Sequence, residues 1–210
     1  MEHGGNWGES VVRVSIYIEG GGDSAKLDQI FRTAWRDFFT SAGLAGRLPA
    51  VVRCGDRANA FRRFSVAVRE AGDDELPILL VDSEGPVEED QSTWEYLRDN
   101  DGWRQPAGAD DNQAYLMAQA MEAWLLADRG ALREYFGRGF NENRLPAQND
   151  PEQIPQNRLE SYLRTASENC GQQYAKGAVS FEILGQVDAC KVAKKCRHAK
   201  DLLDHLRTVR

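Results

Sequence analysis

Apolar positions alternate through Val12, Val14, Ile16 and Ile18, with Val11 and Tyr17 on the other side, and the run stops at Glu19 before three glycines. A β-branched stretch that is apolar on both sides suits a strand buried on both faces of a mostly parallel sheet. Leu27, Ile30, Phe31, Ala34 and Phe38 then recur at steps of three and four, predicting an amphipathic helix to about Ala42 with Asp23 or Ser24 as its cap. Gly43 and Gly46 end it. The short apolar run Ala50 to Cys54 comes next, and Ala60, Phe61, Phe64, Val68 and Ala71 predict a second helix over about Arg57 to Glu70. Leu76 to Val81 is the strongest buried-strand signal in the chain, and it ends on Asp82-Ser83-Glu84. Strand, helix, strand, helix, strand reads as two successive right-handed βαβ units. The acidic ends of the first and third strands then belong on one edge of one parallel sheet.

Beyond Pro86 the composition turns acidic and polar as far as Asn112, with Trp94, Trp103 and one short helix around Ser92 to Arg98. Gln113 to Asp128 is strongly apolar; it reads either as a strand at 113–118 followed by a helix, or as helix throughout. A helix over about Gly130 to Phe136 leads to a polar stretch holding Pro146, Pro151 and Pro155. Helices follow at about Gln156–Glu168, Ser180–Gln186, Ala189–Lys195 and His198–Thr208. The expected organisation is an α/β domain over 1–136, a linker over 137–156, and a C-terminal helical extension over 157–210 packed on the same core.

Composition narrows the function classes. A net charge of -7 argues against a protein that holds nucleic acid by bulk electrostatics, so a nucleic-acid enzyme of this charge needs metal ions, a local basic patch or a basic partner. Arg57, Arg62, Arg63 and Arg69 give the second helix a basic side, read as a solvated face or as phosphate steering. Cys54, Cys170, Cys190 and Cys196 lack metal-ligand spacing, which suits reduced thiols. No membrane span and no secretion signal are visible, so a cytoplasmic location is expected.

Three acidic positions stand out: Glu19, the Asp82/Glu84 pair, and Glu122. On a helix, Glu122 has Ala118, Leu125 and Leu126 as neighbours one turn away, a costly setting for an unpaired carboxylate. Clustered carboxylates repel, and a hard divalent cation is their natural partner. One or two Mg²⁺ (or Mn²⁺) ions held this way can orient a phosphodiester and lower the pKa of a bound water. Other phosphate chemistries fit less well. After Gly22 the chain reads Asp23-Ser24-Ala25-Lys26, which is not a P-loop, and three consecutive glycines do not make a dinucleotide fingerprint. The chain lacks a Gly-x-Ser-x-Gly elbow, and His3, His198 and His205 lie at the termini, which disfavours a triad hydrolase.

A buried strand ending in Glu19-Gly20, a crossover with one more strand, and a hydrophobic strand ending in Asp82-Ser83-Glu84 resemble the Toprim domain of topoisomerases, bacterial primases and several nucleases. The second acid is Glu84 where that pattern has Asp. Met121-Glu122-Ala123-Trp124-Leu125, Tyr174-Ala175-Lys176-Gly177 and Ser180-Phe181-Glu182 further resemble a bacterial Toprim-like branch found beside ATPases in phage-defence loci. The resemblance implies a Toprim-like sheet flanked by helices, with Glu19, Asp82, Glu84 and Glu122 holding Mg²⁺ and Lys176 neutralising phosphate charge. Gly20, Gly21 and Ser24 would touch substrate. It also implies a hetero-oligomer with an ABC- or AAA-type ATPase and cleavage of DNA or RNA. The competing expectation is a non-catalytic Toprim-like subunit that binds and regulates such an ATPase.

Overall fold

The computed structural model describes residues 12–22, 24–147 and 149–209. Val11, His3 and Asp23 lie outside them. Four parallel strands, β1 (Arg13–Ile18), β2 (Ala50–Arg53), β3 (Glu75–Asp82) and β4 (Ala114–Met117), make one sheet in the order β2-β1-β3-β4. The most apolar strands, β1 and β3, are neighbours at its centre, with Ile16 opposite Ile78 and Ile18 opposite Leu80. Alternation along the pleat divides their side chains between two cores. Ile16, Ile18, Ile78, Leu80 and Met117 enter one, whereas Leu79, Val81 and Leu116 enter the other.

Two helices, α2 (Arg57–Glu70) and α3 (Thr93–Asp101), cover the second face with Ala60, Phe64, Val68, Trp94 and Leu97. The first face is thicker. It receives α1 (Ala25–Phe39), α4 (Glu122–Ala127), α5 (Arg129–Phe136), α6 (Gln156–Ser167), α7 (Ala178–Leu184), α8 (Ala189–Lys195) and α9 (Arg197–Thr208). Trp124 anchors it, stacked on Phe38 with ring centroids 5.4 Å apart and edge-on to Trp35 at 6.0 Å. Fully burying side chains of this kind contributes roughly 1.5–3 kcal/mol each. Leu202, Leu203 and Leu206 of α9 join the same cluster, so the C-terminal helices share the core of the sheet.

The observed boundaries differ from the sequence pattern where local geometry intervenes. Helix α1 widens into a π turn over Thr40–Leu44, and Gly43, at φ 83°, sits inside that turn. Between the two readings of 113–128, the strand followed by a helix holds: Gln119, at φ 64°, lies between β4 and α4. The stretch 137–156 carries two single 3₁₀ turns, Glu142–Arg144 and Pro151–Gln153, and sends Leu145 and Ile154 into the core. All four cysteines are free. Among the described residues no helix is long and apolar enough to cross a membrane.

Candidate active site at the strand ends

Parallel strands that neighbour one another end on one edge, where open α/β sheets place their chemistry. Glu19 follows β1, Asp82 closes β3, and Glu122 opens α4 just after β4. These three carboxylates line a single cavity of about 820 Å³. They lie low in it: Asp82 is 9% exposed and Glu122 is 3% exposed.

The carboxyls of Glu19 and Asp82 are within hydrogen-bonding reach of each other. Burial is the main reason that Glu19 is raised to about 7, with its hydrogen bond to Asp82 and the charge of Arg57 pulling the other way. Burial likewise pushes Asp82 well above the usual carboxylate range, and the charges of Glu19 and Glu122 add to it. The Met121 amide, donating to Asp82 Oδ1 at 2.9 Å, offsets part of this. Two carboxylates so close cannot both ionise cheaply, which favours the protonated form of the pair.

Glu122 is fixed by a different set. Tyr174 donates its hydroxyl proton to Glu122 Oε1 at 2.7 Å, and Lys176 Nζ stands 3.6 Å from the same oxygen. Burial pulls Lys176 down, but the charges of Glu122 and Asp82 outweigh it and hold the ammonium above its ordinary value. Lys176 is therefore a persistent cation beside the acidic floor.

Gly20, Gly21 and Gly22 line the same cavity. Gly20 donates to Gly55 O at 2.7 Å, and a Cβ there would come within 3.0 Å of both Arg53 Cγ and Phe31 Cε2. Gly22 has φ +89°, a conformation that favours glycine. Arg53 pins the turn by donating to Gly21 O at 3.1 Å and Gly22 O at 2.5 Å, while its Nε holds Asp28.

Ser24 is not among the cavity's lining residues: its Oγ accepts from the Leu27 amide at 3.1 Å and caps α1. Ser24→Ala is accordingly expected to cost about 1 kcal/mol in denaturant unfolding. The same variant is expected to leave cation-induced stabilisation as it is in the wild type.

Glu84 lines the same cavity as Asp82 but nearer its mouth. Its backbone is left-handed, at φ 59°, and its side chain is 56% exposed at the rim, 3.9 Å from Arg57 Nη1. A non-glycine residue in this region costs on the order of 1 kcal/mol or more and persists only where the surroundings hold it. Here the Glu84 amide donates to Gln119 O at 3.0 Å, and the Gln119 amide donates to Ser83 Oγ at 2.7 Å. The β3 and β4 turns thus brace each other. Among the described residues no group of three or more His, Cys, Asp or Glu side chains stands at metal-holding geometry.

Arg57 and Asp101 also line the cavity; the sequence pointed to Arg57 only as one of four arginines of a basic helix side, and to Asp101 not at all. Arg57 opens α2 after Asp56 and forms a double ion pair with Asp101, while Arg62, Arg63 and Arg69 on the same helix remain exposed. Burial of one arginine in a basic run leaves no mark in hydrophobic periodicity. Trp94 belongs to the core, donating its indole proton to Asp110 O at 3.1 Å.

Residues 18–207 match the family model described as Domain of unknown function (DUF4276). No curated protein and no solved structure matches the chain. The chain belongs to the DUF4276 family.

Proposed function

We propose, from membership of a family whose function is open, that the strand-end cavity is the active site of a Toprim-like nuclease that depends on Mg²⁺ or Mn²⁺. The observation that carries this reading is the gathering of Glu19 and Asp82, at the ends of the neighbouring β1 and β3, with Glu122, at the start of α4 after β4, in one cavity. Their donor set is hard oxygen, and Glu19 Oε2 is buried without a hydrogen-bond partner, so the chemistry of these residues suits a hard cation, which would have to draw them closer than they now stand. Glu19, Asp82 and Glu122 would hold it, with Glu84 reaching in from the rim. When bound, such an ion supplies an activated water and neutralises phosphoryl oxygens.

The chain's own groups have separable tasks. Glu19 would ligate the metal or, if left free of it, act as the general base toward the attacking water. Tyr174 holds Glu122 in one orientation. Lys176 supplies positive charge at the phosphate. The resemblance of the segments at 121–125, 174–177 and 180–182 to a Toprim-like branch found beside ATPases supports a further step in the proposal: the protein is the effector subunit of an ATPase-coupled phage-defence system. A partner ATPase would then deliver the DNA or RNA that this acidic surface does not attract.

A second reading rests on a specific observation. The described acids are not at metal-holding geometry, and Glu84 faces Arg57 at the rim, which favours a non-catalytic subunit that regulates the ATPase. Labelled single- and double-stranded DNA and RNA, incubated with Mg²⁺ or Mn²⁺ and with the partner ATPase present, separates the two. The nuclease reading expects cleavage by the wild type and none by Asp82→Asn. Absence of cleavage by the wild type under all these conditions would leave the regulatory subunit as the better account.

A further inference from the structure

Among the described residues lining the cavity, two carry positive charge, Lys176 and Arg57. They arrive from opposite faces of the sheet. Lys176 precedes α7, which packs in the core of the first face, whereas Arg57 opens α2 on the second. The acidic floor lies between them.

Arg57 is held in place by its surroundings. Asp101 binds its fork, and its guanidinium carbon lies 4.9 Å from the centroid of the Trp103 ring, which is itself stacked on Phe61 at 4.6 Å. Yet its Nε is buried without a hydrogen-bond partner, and the nearest carboxylate oxygen facing it, Glu19 Oε2, stands off at 3.8 Å. A buried N–H without an acceptor is costly, and the cost is sustained where a ligand completes the bond. A fixed guanidinium beside a carboxylate floor is suited to an anionic oxygen that is itself brought there by a cation.

The recess limits what can bring that oxygen. A cavity of about 820 Å³ over carboxylates of 9% and 3% exposure accepts a group the size of a nucleotide. A single strand can lower one nucleotide into such a recess, whereas a duplex must first unstack and extrude it, at a cost in free energy.

We propose that Arg57 receives a non-bridging phosphate oxygen of the substrate, and that the site takes single-stranded nucleic acid rather than an intact duplex. This rests on the nuclease reading of the same cavity. The test is fluorescence anisotropy in Mn²⁺ with labelled, slowly cleaved phosphorothioate oligothymidylate or oligouridylate, single-stranded or annealed to its complement, titrated over a range of salt. Single strands are expected to bind about tenfold or more tightly than duplexes. Arg57→Ala is expected to weaken single-strand binding about tenfold and to lower the slope of log affinity against log salt by about one. Arg57→Lys, which keeps the charge, is expected to restore that slope and part of the affinity. Equal binding of duplex, no binding of any strand, unchanged affinity in Arg57→Ala, or identical salt slopes for the Ala and Lys variants would each overturn the proposal. The wild type's thermal shift with Mn²⁺ alone reports separately on the metal reading, so either can fail without the other.

Discussion

Glu19→Gln is expected to give a protein that is more stable without metal at pH 8 and yet inert. The wild-type carboxylate is raised to about 7, chiefly because it is buried, so at pH 8 it must be ionised against its surroundings. A glutamine of the same shape removes that charge and can donate to Asp82. The gain in stability is expected to be on the order of 1–2 kcal/mol, discounted for the 20% of the side chain that water reaches. The same change removes a hard oxygen donor and a proton acceptor, and cleavage is expected to fall by about 100-fold or more. Thermal unfolding and a cleavage assay on one preparation check both halves. A variant that cuts like the wild type, or that unfolds earlier at pH 8, contradicts the assignment of Glu19.

The second large effect is on pH. Glu19 binds its proton up to about pH 7 in the folded chain but only up to about pH 4.5 when unfolded. Between these values the folded state holds more protons than the unfolded one, so stability falls as pH rises through the window and levels off above it. Asp82, also raised by burial and by its acidic neighbours, acts in the same direction. At about 1.4 kcal/mol for each pH unit, the loss from Glu19 is on the order of 2–3 kcal/mol after discounting for partial exposure, or about 5–10 °C in Tm for a chain of this size. A divalent cation competes with the proton on these carboxylates. Added Mg²⁺ or Mn²⁺ is therefore expected to raise Tm strongly at pH 8 and little at pH 5. A cation effect equal at both values, or larger at pH 5, is inconsistent with carboxylates that exchange a proton for a metal.

Much of the frame was legible because it depends on periodicity and burial. Residues Arg57–Glu70 and Ala189–Lys195 fold with the helix boundaries that their apolar spacing and caps imply. The meeting of Glu19 with Asp82 follows from two adjacent parallel strands that end on carboxylates, since topology alone places such ends together. What the pattern does not encode is direction at a chain reversal. Asp82 and Glu84 were expected to reach one ion together; both line the cavity, but left-handed backbone at Glu84 leaves its side chain largely exposed while Asp82 is buried. Ser24 reads equally well as a phosphate contact or a cap, and the hydrogen bond from Leu27 decides for the cap.

Long-range pairs were hidden for another reason. Tyr174, in the loop before α7, meets Glu122 across 52 positions, and Arg57 meets Asp101 across 44, and local spacing reports only which side of each helix is apolar. Nothing local to Arg57 distinguishes it from Arg62 or Arg63. Its burial is set by Trp103 and Asp101, which the chain brings back only after β3 and α3 are in place.

The most direct measurement is a crystal of the wild-type protein grown or soaked in Mn²⁺ near pH 8, with the ion located by its anomalous scattering. A peak at about 2.1 Å from carboxylate oxygens of both Glu19 and Asp82 is the expected result. Crystals at saturating Mn²⁺ that show no peak there, with Glu19 and Asp82 still hydrogen-bonded to each other, would contradict it.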